Sequence, residues 1–341
     1  MKDLKDLVVV ITGASSGIGR ATALDLARHG ASVVLAARAE EALETVAERC
    51  RAFRHGRAVA VPTDVSDPAA TTALARRAVS AYGRIDVWIN AAAVAAFGRV
   101  EELPLDQVRR VLDVNVLGCV NGARAALPVM RGQGTGTLID VSSAVGLVAA
   151  PYNSPYSMSK FAVRAFDSAL RQELRLEGRH GIHVCTVLPA TIDTPFFQHL
   201  ANRTGRAVRA MPPVYTPERV ARAIRRLLTR PRREVVVGPL GRALALQAVV
   251  APGLTEKALA RKVDRTHFVR GASAPDSDGT LYVPPPGTGA VHGGWHGASR
   301  TAGRRALAAG AAAGILAGAA AAAATAAGRS RATACRWPHG R

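Results

Sequence analysis

The feature that most constrains this chain is an alternation of two patterns. Seven short apolar runs, largely β-branched, recur at 7–11 (LVVVI), 32–37 (SVVLAA), 58–61 (AVAV), 85–90 (IDVWIN), 137–142 (TLIDVS), 182–188 (IHVCTVL) and 234–238 (EVVVG). Longer stretches rich in Ala, Leu, Arg and Glu lie between them, with breakers such as Gly30 and Pro68 at their ends. A strand that is apolar on both faces needs helices on both sides. The pattern therefore predicts an α/β fold: a doubly wound, mostly parallel seven-stranded sheet covered by helices on each face, over residues 1–238.

Composition narrows the function classes. The 341 residues are 48% hydrophobic, enough to bury a large core. The net charge of +20 suggests nucleic acid at first sight. However, only 5 of the 45 basic residues are Lys, and the arginines are scattered along helical stretches with no zinc-finger or RNP-like spacing. A solvated basic surface is the better reading, and no nucleic-acid partner is expected. Cys50, Cys119, Cys185 and Cys335 show no paired spacing, which argues against a disulfide framework or a metal site and fits a reducing, cytoplasmic setting. The opening MKDLKDLVVVITG is not a signal peptide, because its apolar run is only five residues and acids precede it.

The chemistry begins at ITGASSGIGRATALDLARHG, which follows the first strand and opens a helix. Gly13, Gly17 and Gly19 permit a tight turn whose bare backbone and helix N-terminus suit a pyrophosphate. The spacing is G-x-x-x-G-x-G, and its place in a βαβ repeat makes it a dinucleotide site of a Rossmann-like domain. After the second strand, Ala37 stands where an NAD site usually has an acid, and Arg38 follows. A cation without an acid suits a 2′-phosphate, so NADP(H) is favoured and NAD(H) remains possible. Asp64, after the third strand, is placed to accept a hydrogen bond from the adenine amino group, with Ser66 and Asp67 better suited to capping the next helix.

In SPYSMSKFAV, Tyr156 precedes Lys160 by four residues, one face of one helix. A neighbouring ammonium favours phenolate, so Lys160 is expected to lower the Tyr156 pKa and make it an acid/base for a carbonyl or alcohol oxygen. Ser143, at the end of TLIDVSS, is expected to hold the substrate oxygen.

With these motifs in this order, the chain resembles the short-chain dehydrogenase/reductase family over about residues 5–238. TGASSGIG matches the family's cofactor loop, which adds Ser15, Ser16 and Ile18 to the three glycines, and Val65 falls beside Asp64 in the same cofactor region. The resemblance makes Asn115, Ser143, Tyr156 and Lys160 a catalytic tetrad, with the Asn115 backbone supporting a proton relay. It also places Asn90, Pro189, Ile192 and Thr194 at the cofactor, Thr194 near the carboxamide. Two departures stand out: the usual Asn-Asn-Ala-Gly is Asn90-Ala-Ala-Ala here, and the usual Pro-Gly is Pro189-Ala190. The implied reaction is hydride transfer between nicotinamide and a carbonyl or secondary alcohol. Phe196, Phe197, Leu200, Met211 and Tyr215, in the segment that forms the family's lid, either line an apolar pocket for a hydrophobic substrate or pack between helices. A homodimer or tetramer is implied. The altered motifs keep one alternative open, a catalytically impaired dinucleotide-binding regulator or scaffold.

Beyond the core, residues 239–270 read as a helical extension, 271–305 as a flexible Gly/Pro/Ser linker, and 329–341 as a basic tail. Between the last two, 306–328 is uncharged for 23 residues, with small-xxx-small steps at Gly310, Gly314 and Gly318. It is long enough to span a bilayer, yet Ala and Gly supply little insertion energy. Membrane association and a low-complexity tail both remain open.

Overall fold

The computed structural model describes residues 4–238 and 246–295. The segments 306–328 and 329–341, and with them the possible membrane helix and the basic tail, lie outside the described residues. Among the described residues no helix is long and apolar enough to cross a membrane.

Seven strands form one parallel sheet: β1 (Val8–Thr12), β2 (Ser32–Ala37), β3 (Arg57–Pro62), β4 (Val87–Asn90), β6 (Gly136–Val141), β7 (Ile182–Pro189) and β10 (Glu234–Val237), in the order β10-β7-β6-β4-β1-β2-β3. Each coincides with one of the seven runs. The alternation of side chains explains why those runs are apolar throughout. Val9, Ile11, Val33 and Leu35 point to one face, where they meet α1 (Gly17–Arg28), α2 (Glu40–Arg51) and α8 (Pro217–Thr229) through Leu26, Leu43 and Ile224. Val10, Val34, Trp88 and Leu138 point to the other, against α3 (Pro68–Tyr82), α5 (Gly118–Gln133) and α6 (Ser154–Leu176) through Leu74, Met130 and Leu170. Each large side chain buried in these layers contributes about 1.5–3 kcal/mol. Asp67 caps α3 by accepting from the Ala69 amide at 2.8 Å, as the sequence suggests.

The strand order reverses between β1 and β4, which opens a crevice at the carboxyl ends of the strands. Shorter elements surround it. β5 (Ala96–Phe97) pairs in parallel with β8 (Ala201–Asn202), and β9 (Arg206–Val208) pairs antiparallel with β11 (Phe268–Ser273), which follows α9 (Pro252–Thr266). The stretch expected as a flexible linker thus begins inside β11.

Candidate active site

The glycine turn closes on itself at the mouth of the crevice. Gly13 adopts φ +68°, and a Cβ there would come within 2.7 Å of the Ala92 backbone. Gly19 abuts the Gly13 carbonyl just as tightly. Gly17 faces Thr194, with 3.1 Å between a Cβ and the threonine side chain. The glycine turn and the nicotinamide end of the proposed cofactor path are therefore adjacent, and the bare-backbone cradle fits a dinucleotide. Ala91 packs against the core cluster beneath α1 and α8, and Ala190 lies toward Gly238 and that same core.

The tetrad residues come together around α6. The Asn115 side chain clasps one backbone position, accepting from Val94 N and donating to Val94 O, both at 2.9 Å. It also donates to Ser159 Oγ at 3.0 Å, which in turn donates to the Tyr156 carbonyl at 2.7 Å. Asn115 sits in a π-helical turn, Asp113–Leu117, between α4 (Leu105–Leu112) and α5. Such turns gather at functional sites. Ser143 lies close enough to the Tyr156 hydroxyl to draw its pKa down, accepts from the Val145 amide at 3.3 Å and donates to Pro189 O at 3.5 Å.

Lys160 departs from expectation. Its ammonium is buried, donates to Val141 O at 2.9 Å and lies 5.3 Å from the centre of the Tyr156 ring. It is held by the strand and lies over the ring, and Lys160 is not among the causes of the Tyr156 shift. Burial pushes the Tyr156 phenol up to about 12, with Ser143 pulling the other way. Burial also lowers the Lys160 pKa, against the attraction of Cys119 and Asp140. Tyr156 is thus held as a protonated donor.

Other expected cofactor residues are engaged by the protein itself. Asn90 turns inward, accepting from Trp88 Nε1 at 2.8 Å and donating to Asp140 Oδ1 at 2.7 Å. Asp64 accepts from Ser66 N and Oγ (3.0 and 2.7 Å) and pairs with Arg110 at 2.6 Å. Burial raises its pKa, but those bonds outweigh it and hold the carboxyl below its usual value. Arg38 donates to the carbonyls of Thr280, Leu281 and Tyr282 at 2.6–3.0 Å. Ile192 and Thr194 are buried beside the crevice.

The apolar wall is smaller than expected. Phe196 packs on Tyr156 with ring centres 5.3 Å apart, and Phe197 packs on Phe196 at 5.4 Å. Leu200 and Phe97 join them. Tyr215 does not line this pocket, because its ring is buried in the core beneath Ala190 and Gly238. Met211 packs in a separate cluster with Val148, Leu259 and Val263.

Beneath Lys160 lies a buried acid pair that sequence reasoning missed. Asp140 and Asp167 are both fully buried, and their carboxyl oxygens meet. That contact is a hydrogen bond only when one carries a proton. Burial, then mutual repulsion, raises the Asp167 pKa, while Thr186 Oγ1 donates to it at 2.5 Å. The readable signals were an acid inside an apolar strand and a second acid seven residues after Lys160 on the same helix face. The stability consequence has a definite sign. An acid whose pKa rises on folding contributes fully below its unfolded value near ~3.9, and that contribution fades as pH climbs toward the folded value. Asp167→Asn, which keeps an acceptor for Thr186, is therefore expected to raise the melting temperature more at pH 8 than at pH 5. Equal shifts at the two pH values would contradict a shared proton.

The sequence matches the short chain dehydrogenase family over residues 7–204, and the chain belongs to that family of oxidoreductases. An uncharacterized oxidoreductase, YxnA of Bacillus subtilis, is 35% identical over 286 residues, covering 83% of this chain and 79% of its own. The uncharacterized oxidoreductase Lmo0432 of Listeria monocytogenes is 35% identical over 243 residues, 69% of this chain and 97% of its own. Among solved structures, a short-chain dehydrogenase/reductase from Burkholderia phymatum in complex with NAD superposes with TM-score 0.68 at 28% identity, covering 75% of this chain and 97% of that one. An alcohol dehydrogenase from the archaeon Thermococcus sibiricus, complexed with 5-hydroxy-NADP, gives TM-score 0.59 at 27% identity, with 67% and 95% covered.

Proposed function

We propose that the protein is an NADP(H)-dependent reductase of hydrophobic ketones or aldehydes, acting reversibly on the secondary or primary alcohols. The observation that carries this reading is the placement of Tyr156 beside Ser143, with the Lys160 ammonium over its ring and Phe196 and Phe197 as a wall. When bound, the nicotinamide supplies or accepts the hydride. Gly13, Gly17 and Gly19 would admit the dinucleotide backbone, and Thr194 would meet its nicotinamide end. Ser143 orients the substrate oxygen. Tyr156 delivers a proton to that oxygen during reduction and removes one during oxidation. Lys160 holds the ring face and the β6 end in place. Asn115 fixes the Tyr156 turn through Ser159. The aromatic wall keeps water away and favours an apolar substituent on the carbonyl carbon.

Arg38 supports NADP(H), since its guanidinium gathers oxygen acceptors at the end of β2 and no acid precedes it. A charge-assisted bond to a 2′-phosphate contributes about 1.5–3 kcal/mol. Arg38→Ala is therefore expected to weaken NADPH binding by roughly ten-fold or more relative to NADH binding. Calorimetric titration reads both, and equal losses for the two cofactors would refute the phosphate role. A panel of aryl and alkyl ketones, with NADPH oxidation followed by absorbance, tests the reaction itself. Failure to oxidise NADPH or NADH with any member of the panel would refute the assigned activity.

A further inference from the structure

We propose that residues 280–295 are an internal competitor for the dinucleotide cleft and must leave it before the cofactor binds. The inference rests on the dinucleotide reading of the cleft given above.

The segment contacts the cleft at three points, in order along the proposed cofactor path. At the adenine end, Leu281 is buried among Val65, Val94, Val111 and Val114. Its carbonyl accepts from both Arg38 Nη1 and Arg110 Nε at 3.0 Å, and the Thr280 and Tyr282 carbonyls take the other Arg38 bonds. At the glycine turn, the Ala290 carbonyl accepts from Gly17 N at 2.9 Å, and the Thr288 carbonyl accepts from Arg20 Nη1 at 2.6 Å. Gly289 there has φ +66°, and a Cβ would come within 2.6 Å of the Ser15 carbonyl. At the nicotinamide end, Trp295 Nε1 donates to Thr194 O at 2.9 Å, and the Gly293 and Trp295 amides donate to Asp193 Oδ1 at 3.2 and 2.9 Å.

The chemistry at the first two points is that of a nucleotide. Main-chain carbonyl oxygens take the donors that phosphate oxygens would take. A carbonyl is neutral, however, and a phosphate is charged, so the phosphate makes the stronger bond to Arg38. Its remaining anchors lie mostly at the surface: Leu281 is buried, whereas Tyr282 and Val283 are 44% and 70% exposed. Tyr282 Oη donates to Asp106 at 2.6 Å, Gln198 Nε2 donates to Gly293 O at 2.9 Å, and His292 Nε2 lies 2.9 Å from Glu218. Exposed bonds of this kind permit local opening. A segment that occupies the donors in the free protein reduces apparent cofactor affinity by the fraction of molecules in which the cleft is closed.

Two full-chain variants loosen the segment at separate points, Gly289→Ala at the turn and Leu281→Ser at the adenine end. NADPH titration of both is expected to give affinities about ten-fold tighter than the native chain, or more. Hydrogen exchange of the native chain is expected to speed up at 280–295 when NADPH is added. Slower exchange there, or equal or weaker binding by both variants, would overturn the proposal and make the segment a cover over bound cofactor; the oxidoreductase reading would survive. If neither the native chain nor either variant binds NADPH or NADH, the oxidoreductase reading fails and the competitor with it.

Discussion

Tyr156→Phe is expected to lower kcat for carbonyl reduction by about a thousand-fold while leaving NADPH affinity within a factor of about two. The substitution removes one oxygen. The ring keeps its packing on Phe196 at 5.3 Å and its place over the Lys160 ammonium at 5.3 Å, so the fold and the cleft are preserved. What disappears is the proton donor beside Ser143. The direction of the pKa shift adds a second readout. Burial holds the phenol at about 12, so the acid form dominates at neutral pH and serves reduction directly. Alcohol oxidation needs the phenolate, whose fraction rises as pH approaches that value. Oxidation by the native protein is therefore expected to accelerate through the alkaline range, while reduction stays flat over the same interval. The alkaline rise in oxidation should vanish in Tyr156→Phe. Residual turnover near the native level, or an unchanged alkaline rise, would remove Tyr156 from the proton-transfer step.

The sequence revealed the sheet well because its strands are covered on both faces. Runs such as SVVLAA carry no polar interruption, and β2 occupies those same residues, 32–37. The glycine turn was legible for a related reason: Gly13 has no room for a side chain. Strands β5, β8 and β9 were not legible, since two or three residues show no period, and the six-residue β11 pairs with β9 in a shifted register. Side-chain direction was harder still. Asn90 was expected at the cofactor, yet a buried Trp88 and Asp140 offer it two strong partners in the core. The i to i+4 spacing correctly put Tyr156 and Lys160 on one face, but it could not say that the ammonium would be taken by the Val141 carbonyl. Residues 280–295 read as linker because glycine and proline dominate their composition. Their attachment depends on main-chain carbonyls and on isolated anchors such as Leu281, and neither leaves a periodic trace.

Trp88→Ala is expected to cost about 3–5 kcal/mol of unfolding free energy, a large share of a typical domain's total. Trp88 is fully buried at the centre of the layer that joins the sheet to α3, α5 and α6. Collapse into the vacated space is resisted on both flanks, because Trp88 is locked in register with Val10 of β1 and Leu138 of β6. Its indole N–H is also a donor to Asn90 Oδ1, so the substitution strips a partner from a buried amide. Trp88→Phe separates the two contributions. It keeps most of the apolar volume, loses the N–H, and is expected to cost about 1–2 kcal/mol more than its volume change alone. Because Asn90 leads through Asp140 to the environment of Lys160, the Phe variant is also expected to lower kcat modestly without a change in KM. Urea unfolding gives the stabilities as a shift in midpoint at constant slope. A midpoint for Trp88→Ala within about 1 kcal/mol of native would mean that the layer is loosely packed at its centre, and the proposed link between the sheet interior and Lys160 would lose its structural basis.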